Sequence, residues 1–490
     1  MKTFKLVLWL ALLTGAIWFA VVLAWQVNDV QPSGSALVLY LAGLPLLAIG
    51  AVLAVGYGLR RRRQRAQGMD ADAATPAAQA FVGEGEQAPR AYALHLHATA
   101  VNLVVGASAE AAAAALVEPV RPGLHPTLKD ENGLPVMAAQ VDDLDTEAVA
   151  EALQAAAGSD AVERVFAQEH LRAVALLEPV LEELLGLEAA IVTGAAPADA
   201  PPALVAGRRS EAAAPPKSRL RTLILVADSW PQPARQQLGD WALAKAAALD
   251  LPEERIAVEV VPVAQSIEAW ALLDRIGQRY RDEVTPDRHL LLACASQLSE
   301  GAVEALQAAR RLIGHDRPEG LIPGEGAVGL WLSGPPEPGQ PASPDALELR
   351  TLQRGHVAAG TSSRNATRQT SELMARALAA AGRDADSVKA VVSDADQRPS
   401  RAIEIASAIA ATCPELDPIG HNLSLGVACG HLGPVAPWAA IAVAAAQARA
   451  EGGPALAIGL ADGEARAALA VMPVPPPPSP PAEPDGDRAG

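Results

Sequence analysis

Two apolar runs near the start of the chain, neither containing a charge, set the first limit on what this sequence can fold into. They are Leu6 to Trp25 and Ala36 to Leu59. A helix rises about 1.5 Å per residue, so each run can cross a hydrocarbon core of about 30 Å. A cleaved signal peptide is the competing account of the first run. Its length, the lack of a clean small-x-small site and the immediate second run speak against that account. Lys2 and Lys5 precede the first run, Arg60 to Arg63 and Arg65 follow the second, and the loop Gln26 to Ser35 carries only Asp29. Positive flanks stay in the cytoplasm. Residues 1–66 therefore predict a two-span hairpin with both ends inside and the soluble remainder cytoplasmic. The lipid bilayer is thus an expected partner. The arginine block could also meet anionic headgroups, although a topology stop is enough to explain it.

Charge narrows the partners further. The chain has 39 basic and 56 acidic residues, a formal net charge of −17. Nucleic-acid binding needs a basic face, so no nucleic acid is expected. The excess of arginine over lysine and the abundance of alanine fit a GC-rich bacterial genome, which places the hairpin in a bacterial inner membrane. The three cysteines, Cys294, Cys413 and Cys429, are too few and too scattered for a disulfide scaffold, and unpaired thiols agree with a reducing compartment. No CxxC or Cys/His cluster suggests zinc. His95 and His97 alternate on a predicted strand and so share a face; without a further ligand, a solvated pair is the expectation. His421 and His431, ten residues apart, make unconvincing ligands. No metal or cofactor site is expected.

Residues 67–90 are polar, small and acidic and read as a tether. Ala91 to Val105 predicts a strand or hairpin, and helices follow at Thr146–Ala157 and His170–Leu187. Ala195–Lys217, rich in Ala and Pro, predicts a long loop or linker. From Arg221 apolar strands alternate with helices: RTLILVAD, then Pro233–Leu249; RIAVEVVPV, then Ser266–Tyr280; HLLLACAS, then Glu300–Leu312; and GAVGLWLS. After a Pro-rich break at 334–345 the alternation resumes. LELRTLQRGHVA predicts one strand, Ser371–Ala381 a helix, VKAVVSDA a strand, and Ser400–Thr412 and Val435–Ala450 helices. PALAIGLADG and EARAALAVMP predict a closing hairpin. Continuous apolar strands between helices mean a mostly buried sheet covered on both faces. The Pro-rich tail at 474–490 predicts an extended or disordered end.

Several segments in this order resemble the β-ketoacyl synthases. IPGEGAVGLWLS (Ile322 to Ser333), preceded by DRPEG (Asp316 to Gly320), is similar to that family's Gly-Glu-Gly-Ala segment and strand. NLSLGVACGHLGPVAPWAAIAVAAAQA (Asn422 to Ala448) resembles its Asn-Ser, Gly-His and Gly-Ala-Ala segment leading into a long helix. MARALAAAGRDADSVKAVVSDAD (Met374 to Asp396) and HLRAVALLEPVLEELL (His170 to Leu185) are similar to helices elsewhere in it. The resemblance spans roughly Ala91 to Pro473. It implies a thiolase-like fold, an αβαβα five-layer α/β duplication with halves at 91–333 and 346–473, preceded here by the two transmembrane helices. It also implies a homodimer paired through the central sheets.

The same resemblance implies a nucleophilic cysteine at a helix N-terminus, two histidines and a lysine. The nucleophile position falls in VPVAQSIEAW (Val261 to Trp270), where Ser266 is the only hydroxyl and no base is evident. The first histidine is replaced by Asp394 and Asp396. The lysine position is Gly426; Lys389 lies elsewhere. Only the second histidine remains, as His431. Each of these losses alone costs orders of magnitude in rate. Cys294, Cys413 and Cys429 are expected to be core thiols, and Glu325 to hold loops. His431, Ser266, Asp394 and Asp396 are the candidates for a remnant pocket. The expected function is that of a catalytically inactive, membrane-anchored adaptor or scaffold with a protein partner. Its concrete version is similarity to adaptors that load type VI secretion lipase effectors, with an effector or a secretion subunit as partner. The alternative is an acyl-thioester or acyl-carrier binding or condensing protein.

Overall fold

The computed structural model describes residues 91–157, 165–194, 204–205, 208–209, 218–336 and 345–474. These lie in the second of two units, Ala88–Gly490. The expected hairpin at 1–66, the tether and the Pro-rich tail lie outside the described residues, as does most of the break at 334–345. Among the described residues no helix is long and apolar enough to cross a membrane.

The first half of the chain runs β1 (Ala93–Leu103), α1 (Ala109–Ala115), β2 (Gly123–Lys129), β3 (Pro135–Ala138), α2 (Thr146–Ala157) and α3 (Gln168–Gly194). A two-residue ladder, β4 (Leu204–Val205) with β5 (Arg208–Arg209), falls inside the Ala/Pro-rich stretch. Then come β6 (Leu220–Ala227), α4 (Gln232–Ala248), β7 (Ile256–Val263), α5 (Ser266–Asp282), β8 (Arg288–Ser296), α6 (Glu300–Ala308) and β9 (Glu325–Ser333). The second half runs β10 (Leu347–Arg350), β11 (Gln353–His356), α7 (Ser363–Ala381), β12 (Ala390–Ser393), α8 (Pro399–Thr412) and β13 (Asn422–Ser424). It closes with α9 (Leu425–Cys429), α10 (Ala436–Glu451), β14 (Ala455–Gly459) and β15 (Ala465–Pro473).

Strand order reveals a duplication. The path is β13-β12-β14-β15-β10-β1-β9-β8-β6-β7, with β11 added on β15. In the first half β6 pairs parallel with β7 and β8, while β9 is antiparallel to both β8 and β1. The second half repeats this with β12 between β13 and β14, and β15 antiparallel to β14 and β10. The halves meet where β1 pairs antiparallel with β10, Ala93 opposite Arg350 through Leu96 opposite Leu347.

Each strand divides its side chains between two cores, as a period of two requires. On β8, Leu290, Leu292 and Cys294 pack with α2, α3 and α4, whereas Leu291, Ala293 and Ala295 face α5 and α10. On β15, Ala468, Ala470 and Met472 pack under α7 and α8, whereas Ala467, Leu469 and Val471 join the same central core. The layers therefore run helices, sheet, helices, sheet, helices. This is the five-layer duplicated arrangement that the resemblance implies. β1 changes faces midway. His97 is an extra residue against β9, so Leu94 and Leu96 before it and Val101 and Leu103 after it all reach the central core.

Three element expectations are corrected. LELRTLQRGHVA is two strands. It breaks at Thr351, whose Oγ1 accepts from Tyr92 N (2.8 Å) and donates to Tyr92 O (3.2 Å). α7 starts eight residues before the expected Ser371, because Ser362 accepts from Asn365 N and starts a polar first turn with no apolar periodicity. α6 stops at Ala308, and Arg310 then takes a left-handed conformation (φ 57).

Trp438 on α10 is fully buried, in the central core between the two halves of the sheet. We expect Trp438→Ala to cost about 3–5 kcal/mol in urea unfolding, and the exposed Leu124→Ala about 0.5 kcal/mol or less. A cost below about 1 kcal/mol for Trp438→Ala would show that α10 is not the central layer.

Candidate functional site

The residues singled out from sequence converge where the halves meet, at the ends of β9 and β12 and the start of α5. Two glycine-bearing segments are zipped together there. His431 N donates to Ile322 O (2.8 Å), and Pro323 and His431 form a parallel bridge. A Cβ at Gly324 would overlap the Cys429 carbonyl, and Gly430 takes φ +65 against the carbonyls of Ile322 and Pro323. Only glycine fits either position, which explains the PGEG and CGH wording of the sequence.

Asp394 follows β12 directly. Its Oδ1 accepts from Leu460 N (2.6 Å) and Ala461 N (2.9 Å) in the turn after β14. Burial and the nearby carboxylates of Asp462 and Asp396 push its carboxyl up to about 7. Asp396 accepts from Arg398, both from its backbone N–H and from Nε (2.8 Å). Arg398 Nη2 in turn donates to Ala461 O (2.7 Å). Both backbone polar groups of Ala461 are thus held by the segment that stands in for the expected histidine. Gly426, at the expected lysine position, packs on this segment so closely that a Cβ would sit 2.7 Å from Asp396 Cβ. A lysine cannot enter there without moving the backbone.

Ser266 opens α5, but its hydroxyl donates to Gly433 O (2.9 Å). The more informative contact was not foreseen. Asp462 Oδ2 accepts from Ile267 N (2.7 Å), 195 residues away in sequence. The residue before the helix, Gln265, makes no side-chain cap. Asp462 therefore fills the N-terminal anion position of α5, where a nucleophile would draw its activation. Burial pushes the Asp462 carboxyl up as well. The sequence carries no local signal for this contact, because it joins one half of the fold to the other.

Asp394, Asp396, Gly426, Gly430, His431 and Ala461 surround a cavity of about 10 Å³, and Ser266 is not among its lining. A single water needs roughly 10–15 Å³. The cavity has no room for an acyl group. The His431 ring makes no hydrogen bond within the described residues. Burial, with the charges of Arg311 and Arg398, holds it neutral, pushed down to about 3.

The remaining candidates take structural places. Cys294, Cys413 and Cys429 are buried, and burial pushes their thiols up to about 12, 11 and 12. Such thiols are poor nucleophiles. Glu325 is fully buried and accepts from Arg172 Nε (2.9 Å) and Nη2 (2.5 Å), Ser296 Oγ (2.7 Å) and Val141 N (2.8 Å). All its lone pairs are committed to tying loops together. His421 Nδ1 accepts from Asp417 N (3.0 Å) within its own turn. The solvated-pair reading of His95 and His97 is wrong. His95 is buried against Glu348 (3.7 Å) from β10, and His97 donates to Ser333 Oγ (2.8 Å) beside the Trp331 ring. Their partners come from strands some 240 residues away, so no local pattern announced them. Among the described residues no group of three His, Cys, Asp or Glu side chains could hold a metal ion.

Solved structures similar to this fold include ketosynthases. The ishigamide ketosynthase/chain length factor matches with a TM-score of 0.50 at 14% identity, over 78% of this chain and 99% of that one. An oxazolomycin ketosynthase domain of Streptomyces albus JA3453 matches with a TM-score of 0.50 at 13% identity, over 80% of this chain and 76% of that one. At these identities the likeness is one of fold: the chain has the thiolase-like fold of ketosynthases. No protein-family model and no curated protein sequence matches the chain.

Asp394 gives a pH prediction. Its folded-state pKa is raised, so the folded chain holds this proton more tightly than the unfolded one. The stability it contributes is complete below about pH 4 and is lost as pH rises through about 7. Asp394→Asn keeps the acceptor and removes the titration. We expect its melting temperature to gain on the wild type between pH 4 and 7, by the equivalent of a few kcal/mol in order of magnitude. Parallel pH profiles for the two proteins would refute this.

Proposed function

We propose that this chain is a membrane-anchored thiolase-like protein that acts by binding a protein partner, without condensing acyl thioesters. One observation carries the reading: the Asp462 carboxylate occupies the start of α5, where acyl-transfer chemistry in this fold would need a thiolate. A helix N-terminus lowers a thiol's pKa through its free N–H groups and dipole. A carboxylate in that place removes a donor and adds a like charge, which raises a neighbouring thiol's pKa. The two amides of Leu460 and Ala461, donors that could hold an oxyanion, are likewise taken by Asp394. The cavity between them is water-sized.

In this reading the apolar runs at 6–25 and 36–59 hold the chain at the inner face of a bacterial membrane, and the folded unit presents its surface to a client. A secretion effector or apparatus subunit, of the kind loaded by type VI secretion adaptors, is the concrete version. It rests on the sequence resemblance and on the sealed site.

Two measurements test this. Full-length protein incubated with acyl-coenzyme A thioesters of several chain lengths should show no acyl adduct by intact mass, and Ser266→Cys should show none either. A stoichiometric adduct on either protein would sink the non-catalytic reading. A pull-down of the detergent-extracted chain from its own cells should enrich a secretion effector or subunit; enrichment of acyl carrier protein would instead favour the acyl-carrier alternative.

A further inference from the structure

A second cavity, of about 530 Å³, lies at the opposite end of the same parallel strands, between α5 and the edge strand β7. Its walls follow from register. His289, Arg221 and Ala257 stand in one row across β8, β6 and β7, and Leu223 and Glu259 stand in the next row on the same face. α5 lies over this face and contributes Arg275, Ile276 and Arg279. Because β7 carries the small Ala257 beside Arg221 and the polar Glu259 beside Leu223, α5 and the sheet do not close on each other here.

The floor of the cavity has a defined hydrogen-bonding character. His289 is 3% exposed. Its Nδ1 lies 2.8 Å from Tyr280 Oη, and that hydroxyl donates its one proton to Asp287 O (2.6 Å). The Tyr280 oxygen must therefore accept from Nδ1–H, which leaves Nε2 as an acceptor with no hydrogen-bond partner among the described residues. Burial and the charges of Arg221 and Arg279 hold the ring neutral, pushed down to about 4, so Nε2 stays an acceptor at neutral pH.

The rim is cationic, in a chain whose net charge is −17. Arg221 and Arg279 use Nε for Asp287 and Glu283, which leaves their terminal N–H groups free of those carboxylates. Arg275 is exposed and makes no hydrogen bond or ion pair within the described residues. Glu259 is the one carboxylate in the lining and sits beside Leu223, a row away from Arg221 and His289. Leu223 and Ile276 supply apolar wall. A volume of this size falls within the roughly 300–1,000 Å³ typical of small-molecule sites.

We infer that this cavity binds a small amphiphilic anion whose acidic group meets Arg275 and Arg279, whose apolar body lies on Leu223 and Ile276, and whose hydroxyl or N–H donates to His289 Nε2. The site is separate from the sealed one and does not rest on the adaptor reading.

The test uses 6-hydroxynaphthalene-2-sulfonate, which combines an anion, an apolar body and a donor. It is titrated by fluorescence into the full-length protein in zwitterionic nanodiscs, with empty nanodiscs as blank. One-to-one binding in the micromolar range is expected. Naphthalene-2-sulfonate, which lacks the donor, and 2-naphthol, which lacks the anion, should each bind about tenfold more weakly, since each leaves one polar group of the site unmatched. Ala257→Trp, which fills the cavity from an exposed position, should abolish binding. Arg275→Glu, at an exposed side chain that makes no hydrogen bond or ion pair among the described residues, should weaken the sulfonate about tenfold or more and leave 2-naphthol unaffected. Absence of saturable binding above the blank would overturn the inference. So would equal affinity for Ala257→Trp and Arg275→Glu with melting temperatures at wild-type values.

Discussion

Helix α10 is the constraint on which the rest of the structure depends. Every residue from Ala436 to Ala446 is buried, and so is Ala448. Both halves of the sheet press on this one helix, so it has no apolar stripe distinct from a solvent face. Alanine makes the arrangement workable. It has the best intrinsic helix propensity, and its single methyl lets two sheets approach the same cylinder. Trp438 and Ile441 fill the wider gaps. The helix is held in this position from its N-terminal end, where the segment Gly430 to Val435 is zipped to Ile322 and Pro323 in the other half. The placement of the site is thus a consequence of how the central layer is anchored.

That anchoring explains why the site is closed. The start of α5 and the turn after β14 present backbone N–H groups to the interior at the junction of the halves. A buried donor without an acceptor costs about 1–3 kcal/mol. A catalytic site in this position would leave such donors for a substrate oxygen to meet. Here Asp462 and Asp394 meet them instead, and Arg398 meets the Ala461 carbonyl. Asp394, Asp396 and Asp462 thus act together in filling the positions where the resemblance would lead one to expect a cysteine, a histidine and a lysine. Gly426 fits the same arrangement, since the Asp394–Asp396 segment occupies the space a lysine side chain would need.

Much of this was legible in the sequence, and the line between what was and what was not is physical. The strand and helix alternation from Leu220 to Ser333 was readable because β8 and β9 are buried on both faces, β6 and β7 are apolar runs beside them, and each helix begins where the run breaks. Asp394, Asp396, Gly426 and His431 could be placed together because the resemblance to the β-ketoacyl synthases puts these positions in one site. Asp462 could not. It looks like a turn residue in LADG, and its partner Ile267 is 195 residues away. His95 failed for the same reason. Alternation put it on a strand face correctly, but whether that face is wet depends on β10, which supplies Glu348. The two short strands β10 and β11 read as one because the break between them is made by Tyr92, from the far end of the unit.

The two ends of β6 and β7 reward comparison. In open α/β sheets ligands are bound at the carboxyl ends of the strands, where helix N-termini and free amides converge. In this chain that end, beside Ser266, is filled by its own side chains. The amino end, which ordinarily holds helix C-termini and repels anions, carries Arg221, Arg275 and Arg279 around a neutral imidazole. At these two places the usual arrangement is reversed: carboxylates meet the amides at the end that favours anions, and three guanidinium groups, two of them paired with Asp287 and Glu283, line the cavity at the end that does not. The reversal at the carboxyl end satisfies buried backbone groups and needs no ligand. Packing does not account for the reversal at the amino end in the same way, because Arg275 is exposed and makes no hydrogen bond or ion pair among the described residues, and His289 Nε2 has no hydrogen-bond partner among them. Polar groups left uncommitted at one end, while those at the other are saturated, locate the chain's capacity for small-molecule binding away from the position its fold would suggest.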